Sequence, residues 1–315
     1  MPRISGVLLA TLLFCTSQTL FRSPGPIDTA VVDGGAIYVS FFGSRVIQRV
    51  VDGTASPYFT MDAVRSGWTV ADGTIVLREI PTELLLVAPD GSRRTIAEPL
   101  TIRGFRAHEG FVYWLVDDGR LRRAPIAGGA AETIATAVSD PYFVVGQGRV
   151  VFAGGNGIYW LPLAGGAPRL LFPRADAAID WVTPDGVLVS TRTPFDPNVS
   201  SAQVLRVPWS GGPVESVYEI TVHGYAPEVS AGAVQAGETT YVFLTQTGHF
   251  FWTWSTLYSL RGGVMRARLG APNAPMRLLA VDEEAVTVGH WIDAGGMRRI
   301  ERICATPPRS HAAGR

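Results

Sequence analysis

Only two cysteines occur in the 315 residues, Cys15 and Cys304. That is too few for a disulfide framework, and they lack the paired spacing of a zinc site. Charge is scarce too: 17% of residues are charged, and 27 Lys+Arg balance 27 Asp+Glu, so the formal net charge is zero. A nucleic-acid binder needs a basic face to neutralise phosphates, so no nucleic-acid partner is expected. The five histidines, at 108, 223, 249, 290 and 311, include no pair four residues apart. A GxSxG elbow, a phosphate loop and an EF-hand series are missing as well, which removes the common catalytic and metal motifs. No catalytic residue and no metal ligand is assigned.

Long apolar runs are also few. The clearest is Val7 to Phe14, behind Arg3, and it is too short to span a bilayer comfortably. Cys15-Thr16-Ser17 offers small residues for cleavage before Gln18. A signal peptide over 1–17 is therefore predicted, with export to the periplasm or the extracellular space and no transmembrane segment after its removal. A lipid anchor on Cys15 is the lesser alternative, because Phe14 stands where such sites want a small residue. Cys304, then the one remaining thiol, reads as a small buried hydrophobe on a strand.

What the sequence has in quantity is turn residues, 35 Gly and 22 Pro, set among 47% apolar residues. They recur with a period. The glycines 53, 91, 129, 166 and 212 are spaced 38, 38, 37 and 46 apart. In phase with them, Asp33-Gly34, Asp72-Gly73, Glu109-Gly110, Gln147-Gly148 and Asp185-Gly186 each precede a β-prone run such as AIYVSF or FVYWLV. An acidic or amide residue plus Gly between two apolar runs is a strong hairpin signal. Each unit of about 40 residues then reads as strands A, B, C and D joined by turns, the blade of a β-propeller.

Units begin near Ala36, Thr74, Phe111, Arg149, Val187, Thr239 and Ala285. The expectation is an all-β, seven-bladed propeller of four-stranded antiparallel blades over 18–308, with six or eight blades as the alternative and a disordered tail over 309–315. The last unit lacks a strand D. Thr19 to Arg22 resembles the D strand at Leu170 to Phe172, so an N-terminal strand is expected to complete the closing blade and remove the ring's edges.

The chain resembles bacterial exported propellers of the TolB-like and YWTD-like kind. Tyr113-Trp114, Tyr159-Trp160 and the proline-to-double-glycine turns at 123–129, 161–166 and 206–212 carry that resemblance. The resemblance implies the fold over nearly the whole mature chain. That broad group includes receptor-ligand modules, assembly partners and some hydrolases and lyases, so the fold alone does not choose among them.

Propellers place sites at one mouth of their channel, on the loops into strand A and the B–C turns. An aromatic five residues before the turn glycine recurs at Trp68, Phe105, Phe143 and Trp181 and reads as packing between blades. One residue earlier the repeat breaks, giving Gly67, Gly104, Tyr142 and Asp180. Beside these positions lie Arg65, Arg103, Tyr225 and Glu228. The arginines suit a carboxylate or phosphate, and Asp180 or Glu228 suits an acid, base or metal ligand; the competing reading is solvated loop charges or pairs offsetting each other. The sixth unit carries a B–C insertion over 248–263, read as an aromatic loop that includes Phe251, Trp252 and Trp254. Together these residues predict a non-catalytic, monomeric binding or assembly module for a protein or carbohydrate ligand, without a cofactor. The alternative is a lyase or hydrolase acting on a carbohydrate or lactone through mouth carboxylates, with a bound Ca²⁺ possible.

Overall fold

The computed structural model describes residues 17–62, 67–139, 141–192, 199–223, 228–247, 253–261, 264–272, 276–282, 285–293 and 296–304. All the regular structure among them is β. The chain runs through β1 (Ser17–Asp33), β2 (Ala36–Phe41), β3 (Val46–Val51) and β4 (Thr54–Thr60). A four-stranded antiparallel sheet follows, of β5 (Gly67–Ala71), β6 (Thr74–Ile80), β7 (Glu83–Val87) and β8 (Arg93–Ala97). The next comprises β9 (Ile102–His108), β10 (Phe111–Val116), β11 (Leu121–Pro125) and β12 (Glu132–Ala135). Then come β13 (Phe143–Gly146), β14 (Arg149–Gly154), β15 (Gly157–Pro162) and β16 (Arg169–Phe172). The fifth group is β17 (Ala178–Val182), β18 (Gly186–Arg192), β19 (Val199–Pro208) and β20 (Glu215–His223). The sixth is β21 (Glu228–Ala236), β22 (Thr239–Thr247), β23 (Thr253–Arg261) and β24 (Val264–Pro272). The last strands are β25 (Met276–Val281), β26 (Ala285–Asp293) and β27 (Gly296–Cys304).

The two ends of the chain share one seven-stranded sheet, ordered β25-β26-β27-β1-β2-β3-β4. Its pivot is β1. Residues Ser17 to Ile27 pair with β27, and Ile27 to Asp33 pair with β2. Residues 19–22, expected from the sequence to lie beside the last strand, pair with it at Thr19↔Glu301, Phe21↔Ile300 and Arg22↔Arg299. The first strands of successive groups, β1, β5, β9, β13, β17, β21 and β25, neighbour one another in that order and return to β1. They line a central channel.

Alternating apolar positions on each sheet bury against the next sheet. Tyr38 and Ile47 pack with Trp68 and Ile75; Val76 and Leu84 with Val112 and Trp114; Tyr113 and Leu115 with Phe143 and Val150. Val151 and Ile158 meet Ile179 and Val187, and Leu188 and Val204 meet Val229 and Val242. Val234 and Tyr241 meet Val286 and Ile303, while within the seven-stranded sheet Ile37 and Val39 of one half meet Phe21, Met297 and Ile300 of the other. Burying such side chains contributes about 1.5–3 kcal/mol each, so the inter-sheet clusters dominate the fold's stability. The Tyr-Trp pairs of the sequence belong to these interfaces. Trp114 is fully buried and donates its Nε1 hydrogen bond to Glu98 at 3.0 Å. The Arg149 guanidinium sits 5.3 Å from the Trp160 ring and 4.5 Å from the Trp209 ring, and the two rings contact each other with centroids 5.6 Å apart.

Two local expectations need correction. The first A–B reversal is centred on Gly34-Gly35, with φ of 54° and 78°, rather than on Asp33-Gly34. That shift leaves the Asp33 carboxylate to accept hydrogen bonds from the backbone N–H groups of Asp72 (3.2 Å) and Gly73 (2.8 Å) in the neighbouring turn. The second concerns 248–263. Residues 253–261 are a strand, not a loop: Trp254 pairs with Gln246 on one side and Pro272 on the other. Ser255, Leu257 and Ser259 alternate with Trp254, Thr256 and Tyr258, and this period of two admits β pairing despite the dense aromatics. Tyr258 stacks on Tyr218 with ring centroids 6.2 Å apart, so it packs against the neighbouring strand β20.

Candidate functional site

The channel has two ends, and those of the residues singled out in the sequence that the structure describes fall at one of them or inside it. Arg103, near the start of β9, donates through Nη1 to the Ser139 carbonyl at 3.3 Å and lies 4.0 Å from the Asp117 carboxylate. Tyr142, just before β13, is 64% exposed, and the Arg106 guanidinium sits 5.6 Å over its ring. Glu228 opens β21 and meets Arg192, at the end of β18, at 3.4 Å, with both side chains exposed. Each of these charges thus has a local partner, and they do not gather into one cluster. Arg65, Tyr225, Phe251 and Trp252 lie outside the described residues, and for Trp254 only the backbone pairing is described. The sequence reading missed two residues at this end: Phe42 on the β2–β3 turn is 61% exposed, and Ile80 at the β6–β7 turn is 46% exposed. A single large apolar residue inside a B–C turn was the available signal.

Asp180 is different. It is the bulge residue of β17, where the pairing with β18 shifts between Ile179 and Trp181. A bulge re-aims the side chain, and here it points toward the next inner strand. Its Oδ1 is 2.9 Å from the Ser190 hydroxyl, and its Oδ2 accepts the Ala233 backbone N–H at 3.1 Å. Enclosure raises its pKa to about 8; the two hydrogen bonds oppose that shift but do not cancel it. Both carboxyl oxygens engage protein, so Asp180 clamps β17 to β21 across two sheets.

Beyond Asp180, toward the A–B turns, the channel widens into a cavity of about 800 Å³. Its polar wall comes from five sheets: His108 and Glu109, Gln147, Thr183, Gln235 and Asp282. Trp181 supplies aromatic surface, and Val144, Val145 and Val182 supply apolar surface. Trp68, Phe105 and Phe143 are buried between sheets as their register predicts. Trp181 is only partly buried and also faces the cavity, because the Asp180 bulge offsets it from the repeat. Glu109 and Gln147 occupy φ of 46° and 50°, the left-handed first position of type I′ turns. Their lining role was invisible in sequence because the same residues fully explain the turns. Among the described residues, no three His, Cys, Asp or Glu side chains are grouped to hold a metal ion. No helix among them is long and apolar enough to cross a membrane.

No protein-family model matches the chain, and no curated protein matches it either. Solved structures do. BBS1N, determined in complex with ARL6DN, is 10% identical, with 93% of this chain and 98% of that one covered and a TM-score of 0.59. YCF48 from Cyanidioschyzon merolae is 11% identical, covering 91% and 98%, at a TM-score of 0.56. BamB from Moraxella catarrhalis is 12% identical, covering 88% and 83%, at a TM-score of 0.51. These neighbours are β-propellers. At such identities the likeness is one of fold alone, so the resemblance to TolB-like and YWTD-like proteins holds at that level and no finer. The separate antiparallel sheets, the ring of inner strands and these neighbours agree: the chain has a β-propeller fold.

Proposed function

We propose that this chain is a seven-bladed propeller that works outside the cytoplasm as a non-catalytic binding or assembly module. It holds a protein partner at the mouth formed by the B–C turns and the loops into strand A. The blade count is supported by the division of β1 between β27 and β2 and by seven apolar clusters, six between successive sheets and one between the two halves of the seven-stranded sheet. Export is supported by the apolar segment before Gln18.

The observation that carries the binding reading is the set of large side chains left in water at this mouth. Phe42, Ile80 and Tyr142 are all exposed there, beside Arg103 and the Arg192–Glu228 pair. Aromatic and arginine side chains with an apolar companion are what protein interfaces enrich. The aromatic run at 250–252 adds to that composition. Two propellers of similar fold were solved with proteins attached, BBS1N with ARL6DN and S. cerevisiae nup159 with dbp5. The test is affinity capture from the native envelope or medium with the wild-type chain and a triple variant, Phe42→Ser, Ile80→Ser, Tyr142→Ser. Loss of the co-purified protein with unfolding temperature unchanged supports the reading, and an identical co-purified set refutes it.

A lyase or hydrolase is favoured by one observation, the raised pKa of Asp180, which keeps a carboxylic acid protonated near neutral pH. Against it stands the engagement of both oxygens by Ser190 and Ala233. A stoichiometric Ca²⁺ in the purified protein, found by elemental analysis, would restore this reading.

A further inference from the structure

We infer that the cavity at the A–B end of the channel is a binding site for a neutral, hydroxyl-rich ligand, a mono- or disaccharide. This inference is independent of the protein partner proposed for the opposite mouth. A volume of about 800 Å³ lies within the usual range of small-molecule sites, as does its mix of an apolar wall and a few convergent polar groups.

The charge of the ligand follows from what the carboxylates already hold. Glu109 has the His108 imidazole 3.2 Å away. Asp282 accepts from Arg302 at 2.9 Å and from the Ala285 backbone N–H at 2.8 Å. A cation would therefore gain little, and an anion would meet two carboxylates. A purely apolar ligand would leave polar atoms stranded. Gln235 Oε1 is buried without a hydrogen-bond partner. The other end of the Gln235 amide is fixed, since Nε2 donates to the Gly237 carbonyl at 2.9 Å. The unfilled acceptor is thereby held in place, and an unsatisfied buried acceptor carries a free-energy penalty that a donor removes.

The ligand's shape follows from the spread of these groups. Acceptors stand on β9, β13, β21 and β25 and their turns, around the channel rather than on one wall. A nucleobase presents its donors along one edge, whereas a sugar ring projects hydroxyls on all sides. Trp181 gives the C–H face of such a ring an apolar surface.

The test uses the full chain and ligand-observed NMR saturation transfer. The probes are glucose, galactose, mannose, N-acetylglucosamine, maltose, cellobiose and trehalose, with spermidine, citrate and adenosine as cationic, anionic and nucleobase comparators. At least one sugar should bind, and Gln235→Leu and Trp181→Leu should each weaken it more than tenfold. Gln147→Asn keeps a residue suited to its positive φ and withdraws the amide by one carbon. It should weaken binding about threefold with the unfolding temperature unchanged, which separates ligand loss from misfolding. Leu170→Ser, at an exposed position of β16 away from the cavity lining, should leave sugar binding unchanged. Silence from every sugar, equal binding by all three cavity variants, or binding of a comparator in place of the sugars overturns the inference.

Discussion

At the A–B end of the channel, the first four A–B turns reverse through two residues of positive φ, while the turn between β17 and β18 has none, and side chains beside these turns line a common cavity. At the opposite end the reversals are longer and more varied, and they carry exposed Phe42, Ile80 and Tyr142 together with charges paired only in water. Both ends belong to the same repeat. The tight turns hold their neighbours in fixed geometry, as when the Asp33 carboxylate accepts from the Asp72 and Gly73 N–H groups of the next turn. The longer segments are free of that constraint. One end is thus suited to enclose something small, the other to meet something large. Asp180 stands between them.

That comparison is broken most forcefully by titrating Asp180. Its carboxyl pKa is about 8 in the fold against 3.8 unfolded. The folded state therefore holds the proton that the unfolded state has lost, so stability is fullest below about pH 4 as far as this group is concerned. It falls as pH rises through about 8 and is level beyond. Urea unfolding from pH 5 to pH 9 should lose several kcal/mol from this group, and Asp180→Asn, which keeps both hydrogen bonds, should flatten the slope. An unchanged slope in that variant would place the titration elsewhere. Asp180→Val should cost about 2–3 kcal/mol at pH 5, by leaving the Ala233 N–H and Ser190 unpaired, and less at pH 9, where the buried charge is also removed.

Smaller effects separate the ends themselves. Arg149 packs against both Trp160 and Trp209 at the A–B end and donates to the Gln147 carbonyl at 2.9 Å. Arg149→Met should cost about 1–2 kcal/mol by thermal or urea unfolding. Arg192→Met, at the opposite mouth, removes an exposed ion pair and should change stability by about 0.5 kcal/mol or less. Equal losses would erase the distinction between a packed end and a solvated one.

The sequence made the fold legible because its turns are chemically explicit. A residue tolerant of positive φ, followed by Gly, recurs between β-prone runs, and the structure places hairpins at Asp72-Gly73, Glu109-Gly110 and Gln147-Gly148. Legibility failed where a residue has two roles or where several segments converge. Trp254 to Tyr258 looked too aromatic for anything but an insertion, although its alternation is that of an ordinary strand. The Asp180 bulge left no mark, since an extra residue in β17 looks like ordinary sequence until the pairing is seen. The cavity was out of reach for another reason. Its wall is drawn from five segments between His108 and Asp282, and no local spacing relates them.

The sharing of β1 between two halves of a sheet also bears on how the chain reaches this state. The Thr19 hydroxyl donates to the Glu301 carboxylate at 3.4 Å across 282 positions of sequence. Pairing at such a separation carries a large loop-closure entropy and ranks among the slow steps of folding. Until Gly296–Cys304 has been synthesised, the first half of β1 is an unpaired strand edge, the kind that recruits other chains. Assembly therefore has an order. The intermediate sheets form from local hairpins, and the ring locks last through a single segment, making that segment the place where slow folding and aggregation would both begin.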